Sequence, residues 1–159
     1  MTRRPLLLTA CAALALVGLR AWAAAPVLTY NPGHYQNNDP VWDLLNLAQV
    51  TADTRRGEYT AKFPAALIAR QDKPFKASGF ILPLEASSQS AHFMLVRRNT
   101  GCPFCPPNAP TEAIEIFATA PVSYTGDEVA VTGRLKLVSS SAEGLFYRLD
   151  GSEVSRTGH

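Results

Sequence analysis

The chain has 159 residues, with 15 Lys and Arg against 13 Asp and Glu and 3 Cys. Such a length holds one domain with a modest core and not two, and a charge this close to balance excludes a strongly basic nucleic-acid surface.

The amino terminus reads as a cleaved export signal spanning residues 1–23. Arg3 and Arg4 supply the positive region, and an uncharged apolar stretch follows from Pro5 to Leu19. Ala21-Trp22-Ala23 gives the small-x-small pattern of a cleavage site. A cut after Ala25 would put the ring of Pro26 against the scissile bond, so cleavage is predicted after Ala23. The apolar stretch of about 15 residues falls short of the roughly 20 that span a bilayer as a helix. Leu8-Thr9-Ala10-Cys11 has the letters of a lipoprotein box, but Cys11 comes too early, ahead of most of the apolar region. Thr2-Arg3-Arg4-Pro5-Leu6-Leu7 leaves the twin-arginine route open beside the ordinary secretory one. Arg3, Arg4 and Arg20 leave with the signal, so 12 basic residues face 13 acidic ones in the mature chain. No second long apolar segment follows, and a soluble periplasmic protein is expected.

Residues 24–40 carry Pro, Asn and Gly without an apolar period and read as a flexible leader. Residues 41–50 (VWDLLNLAQV) predict a short helix with Asp39 as the candidate cap and Pro40 in the first turn. Residues 51–57 are polar and turn-like. A second short helix is expected at 64–69, after Pro64 has broken any longer one. Strands are expected at residues 75–84, 92–98, 113–118, 129–138 and 145–149. The fourth is the clearest, with Val129, Val131, Leu135 and Leu137 on one face and Thr132, Arg134 and Lys136 on the other. Gly79 and Gly133 lie inside strands, where sharp curvature calls for them. The fold class is therefore mainly β: a small OB-like antiparallel barrel of about five strands over residues 41–155, preceded by one or two short helices. An open sandwich is the competing architecture. The doublets Arg55-Arg56 and Arg97-Arg98 read as solvated surface.

Chemistry concentrates in one connection between strands, residues 99–110 (NTGCPFCPPNAP). Once Cys11 is gone, Cys102 and Cys105 are the remaining cysteines, spaced C-x-x-C among prolines too frequent for helix or paired strand. Three uses of the pair compete. A thioredoxin-type redox centre would open a helix whose N-terminus lowers the leading thiol's pKa, but Pro106 and Pro107 follow directly. A metal site would exploit two soft thiolates for Cu(I) or Zn(II), with His92 as candidate third ligand and Met94 or His34 as further helpers. His92 and Met94 lie two apart and so share a strand face. A Cys102–Cys105 disulfide would pin the segment by closing a very small ring. Covalent c-type haem is excluded, because Pro106 stands where a histidine is required.

No Gly-x-Ser-x-Gly, His-Glu-x-x-His or Gly-x-x-x-x-Gly-Lys motif occurs, and no catalytic residue is expected. The order Trp42-Asp43-Leu44-Leu45, the strand around Gly79, His92-Phe93-Met94-Leu95-Val96, Cys102-Pro103-Phe104-Cys105-Pro106-Pro107-Asn108, Val131-Thr132-Gly133 and Leu145-Phe146-Tyr147 resembles a bacterial periplasmic family of unknown function, numbered 3299. The resemblance covers roughly residues 41–155, with the cysteine-proline segment its most specific part. It implies an OB-type barrel, and a place beside ABC-type export permeases and metal-responsive gene clusters. The expectation is a non-enzymatic accessory protein presenting the dithiol to a thiophilic metal or to a partner in an envelope transport system. A thiol–disulfide redox protein and a protein-binding module with a purely structural disulfide are the alternatives.

Overall fold

The computed structural model describes residues 36–99 and 109–157. Helix α1 (Val41–Leu45) and α2 (Ala65–Ile68) flank a hairpin of β1 (Gln49–Asp53) and β2 (Glu58–Lys62). Then come β3 (Pro74–Pro83), β4 (Gln89–Val96), a 3-10 turn (Pro110–Glu112), β5 (Ala113–Ser123), β6 (Val129–Leu137), β7 (Ser140–Ser141) and β8 (Tyr147–Arg156). Strands β3-β4-β5-β8-β6 close into a barrel, and β1-β2-β7 form a separate three-stranded sheet. The five-stranded OB-type barrel expected from the sequence is present, with one departure from an all-antiparallel ladder: β5 and β8 run parallel. Antiparallel neighbours need only a hairpin, whereas this pair is reached by the long path through β6 and β7.

Closure depends on a bend in β3. Its first half pairs with β6, from Pro74↔Arg134 to Gly79↔Val129, and its second half with β4, from Phe80↔Val96 to Pro83↔Phe93. The switch falls at Gly79, where a Cβ would lie 2.6 Å from the Val96 carbonyl oxygen and 3.1 Å from Trp42. Gly133 does the same on the adjoining strand β6. It sits at the register shift between β6 and β8, and a Cβ there would collide with Ser152 Oγ.

The barrel encloses Phe75, Ala77, Phe93, Leu95, Ile114, Ile116, Val131, Leu135 and Leu149. Helix α1 extends this core by inserting Trp42 and Leu45, both fully buried. Polar groups fix its position: Asp39 Oδ1 accepts from Val41 N, and Asp39 Oδ2 accepts from Ser78 N at 3.0 Å. Trp42 Nε1 in turn donates to the Ser78 carbonyl at 2.8 Å, so one residue at the β3 bend has both backbone groups held, by Trp42 of α1 and by Asp39 just before it.

Some boundaries differ from the sequence expectation. The helix predicted over 41–50 ends at Leu45, whose carbonyl accepts from Tyr147 Oη at 2.6 Å, and the chain enters β1 at Gln49. Residues 54–57 form the turn foreseen, braced by Asp53 Oδ1 accepting from Arg55 N and Arg56 N, but Thr51 and its neighbours belong to a strand. The end of the predicted leader is tied to the barrel: Gln36 bridges Arg98, and Asn37 N donates to the Arg97 carbonyl at 2.8 Å. Among the described residues no helix is long and apolar enough to cross a membrane.

Candidate functional site

The cysteine-proline segment lies on the connection between β4 and β5. Cys102 and Cys105, with any disulfide between them, lie outside the described residues, as do His34 and His159. The stem of the connection is defined. Arg97 N donates to the Glu112 carbonyl at 3.1 Å, which carries the β4–β5 ladder one step past Val96↔Ala113. Glu112 is 7 % exposed, and both arginines converge on it, Arg98 Nε at 3.4 Å and Arg97 Nη1 at 3.9 Å. Arg97 also reaches Asp43 on α1 at 3.2 Å and the Asn37 carbonyl at 3.4 Å.

Arg97 is therefore not the solvated surface residue its sequence doublet suggests. Its side chain is 13 % exposed, and it joins the stem, α1 and the residues before α1. Arg55 and Arg56 do lie on the surface. A buried carboxylate between two guanidinium groups loses its hydration, and the paired charges compensate for that loss only while all three groups stay in place.

The chosen helpers for the thiols have other surroundings. Met94 does share a strand face with His92, on the outer wall of the barrel, but it is buried with Phe80, Val96 and Ala113 in a small apolar cluster beneath Leu145. His92 Nε2 lies 2.9 Å from Glu115 Oε1, and its ring stacks on Phe117 with centroids 4.3 Å apart and planes 14° apart. With Nε2–H donating to the carboxylate, Nδ1 keeps a lone pair. That is the arrangement in which a carboxylate orients a metal-binding imidazole. Among the described residues no three His, Cys, Asp or Glu side chains gather into a metal-holding group.

Around His92 the outer wall brings together four residues that the sequence did not single out. Register places His92, Phe117 and Asp150 side by side across β4, β5 and β8, with Glu115 beside Arg148 in the adjacent row. The Arg148 guanidinium carbon sits 5.5 Å from the Phe117 ring centre, within cation–π range, while Arg148 Nε pairs with Asp150 at 2.9 Å. Half of this cluster was signalled by alternation: Ile114 and Ile116 facing inward put Glu115 and Phe117 outside. The other half comes from β8 through its parallel pairing, which no local pattern announces.

No protein-family model and no curated protein matches the chain. A solved structure, of a DUF3299 family protein from Pseudomonas aeruginosa PAO1, is similar to it at 23 % identity and a TM-score of 0.48, over 62 % of this chain and 68 % of that one. That family is the one which the cysteine-proline segment and its flanking strands resemble in sequence.

Proposed function

We propose that this protein is an exported, non-enzymatic binding module whose OB-type barrel presents the Cys102–Cys105 dithiol. Its ligand is a thiophilic metal ion, Cu(I) or Zn(II), or a partner protein of an envelope transport system. The observation that carries this reading is the clamp at the stem: Arg97 and Arg98 at the end of β4 pair with Glu112 just before β5, at the two ends of the connection whose sequence holds the C-x-x-C among prolines. A structural staple alone needs no such foundation, whereas a presented ligand loop gains from ends fixed on rigid strands. Cys102 and Cys105 supply the thiolates, and His92 enters through Nδ1, the nitrogen turned away from Glu115.

Native mass spectrometry of the protein isolated from the periplasm under anaerobic, non-reducing conditions tests this. One bound copper or zinc, lost in the Cys102→Ser/Cys105→Ser variant, is the expected result for the metal reading. A metal-free mass lighter by a pair of hydrogens would mean a disulfide and sink it. Recovery of the chain from the cytoplasm with residues 1–23 intact would remove the export reading.

A further inference from the structure

We propose that α2 and the turn after it form a docking surface for an anionic phospholipid bilayer, with Ile68 set among the lipids and a basic rim on their phosphates. Residues 63–69 (FPAALIA) carry no polar side chain, yet Leu67 alone among them is buried. Leu67 and Phe63, whose ring lies 5.8 Å from that of Tyr147, fasten the segment to the core. Ala65, Ala66, Ile68 and Ala69 are exposed, and Ile68, at 58 %, is the most exposed large apolar residue described. Leu47, at 57 %, follows α1, the helix packed against α2. A short helix that is apolar on its outer side as well as its inner one is built to be covered.

The backbone suits a cover without water. Every amide from Leu67 to Lys73 already donates inside the protein. Those of Leu67 and Ile68 go to the Pro64 carbonyl, Ala69 to Ala65, Arg70 to Leu67, Gln71 to Ile68, Asp72 to Leu135 and Lys73 to Arg70. Such a segment meets hydrocarbon without stripping water from an unpaired N–H.

Charge names the lipid. Lys62 and Arg70 bracket the apolar run and Lys73 follows; all three are exposed, and none pairs with an acid among the described residues. The acids nearby are matched elsewhere: Asp72 by Lys136, Asp43 on α1 by Arg97, and Asp150, across the ladder from Arg134, by Arg148. A basic rim around an apolar centre is the pattern that anionic headgroups attract. The same rim argues against a second copy of the chain, since face-to-face pairing would set Lys62, Arg70 and Lys73 against their own equivalents. A protein partner would want an aromatic anchor seated in a pocket. Here three alanines flank one isoleucine, a smooth outline that a fluid bilayer covers without matching contours.

This surface does not depend on the dithiol reading, and the two fail separately. The test is flotation of the protein isolated from the periplasm with phosphatidylcholine vesicles, alone or with about a third phosphatidylglycerol. Binding is expected to the anionic vesicles and not to phosphatidylcholine alone, and it should fall severalfold at about 0.5 M salt. Ile68→Ser should weaken it about tenfold, and Lys62→Gln/Arg70→Gln/Lys73→Gln by about as much or more. Leu84→Ser removes a 48 % exposed leucine outside α2 and should bind as the parent does, as should Cys102→Ser/Cys105→Ser. Thermal melts matching the parent's confirm that the surface variants fold. The proposal falls if the anionic vesicles do not float the protein, if phosphatidylcholine alone floats it equally, or if Ile68→Ser floats as the parent does. It falls as well if Ile68→Ser instead turns a dimer into a monomer in sedimentation, which would give this face to a second copy.

Discussion

The molecule holds two sheets that solve the edge problem in opposite ways. In the barrel every strand has a neighbour on each side, and inward residues of all five strands meet in one core that α1 extends. The sheet β1-β2-β7 stays open: β1 pairs with β2 alone, and β7 touches β2 only at Tyr59↔Ser141 and Thr60↔Ser140. Four of the five β1 residues are exposed, and Ala61 is the one fully buried residue of β2. The barrel is therefore held by buried area, and the small sheet mostly by ladder hydrogen bonds that water can replace. The stem of the dithiol connection and the outer wall around His92 both grow from the barrel, where positions are fixed.

The largest consequence concerns the barrel bend. Trp42 fills the space beside Gly79 and satisfies the Ser78 carbonyl, so Trp42→Ala leaves a cavity and an unpaired acceptor together. Urea denaturation is expected to show a loss of about 3–5 kcal/mol. Gly79→Ala forces its new methyl against the Val96 carbonyl and Trp42, and should cost about 2 kcal/mol or more. If either variant kept wild-type stability, the bend would not be the keystone of closure.

The same contrast governs what could be read from the chain. Where a strand buries one side, alternation announced it: β6 with Val129, Val131 and Leu135 inward, and β5 with Ile114 and Ile116. Strand stretches that bury little gave no such signal. Thr51 and Ala52 in β1, Glu58 to Thr60 in β2, and Thr119 to Ser123 in β5 are mostly exposed and polar or small, so nothing marks them as strand. The far half of β8, after Asp150-Gly151, reads as a polar tail and yet pairs with β6 as far as Arg156. The site divides likewise. Cysteine spacing is a local pattern and visible, whereas the Glu112 clamp and the Phe117 wall arise from cross-strand register, which sits between segments.

Smaller effects are expected at two polar posts on the barrel's margin. Glu112→Gln keeps the shape of the stem but leaves Arg97 and Arg98 facing a neutral amide. A loss of about 2 kcal/mol by thermal and urea melts is expected, discounted from a fully buried pair because Arg98 is partly exposed. Tyr147 joins the barrel to α1 through its hydrogen bond to Leu45, and burial pushes its phenol above the ordinary tyrosine range. A raised folded-state pKa means that the unfolded chain gives up this proton first. The stability it contributes is complete below pH about 10 and is lost as pH rises beyond that. Tyr147→Phe should cost about 1 kcal/mol at neutral pH and blunt the alkaline loss. An unchanged alkaline profile would show that other groups control it.

The smallest expected effect lies in the open sheet. Thr51 is exposed and pairs with the exposed Thr60, so Thr51→Ala should change global stability by no more than about 0.5 kcal/mol. Hydrogen exchange gives the sharper measure. Amides of β1 are expected to open locally, far below the free energy of global unfolding, while those of Phe93, Leu95, Ile116 and Leu135 exchange only when the whole barrel opens. Thr51→Ala should then speed exchange in β1 and β2 and leave the barrel amides untouched. Equal protection in both sheets would mean that the hairpin shares the barrel's cooperativity through β7, whose Ser140 hydroxyl donates to Glu58. In that case Ser140→Ala, not Thr51→Ala, would be the change that separates them.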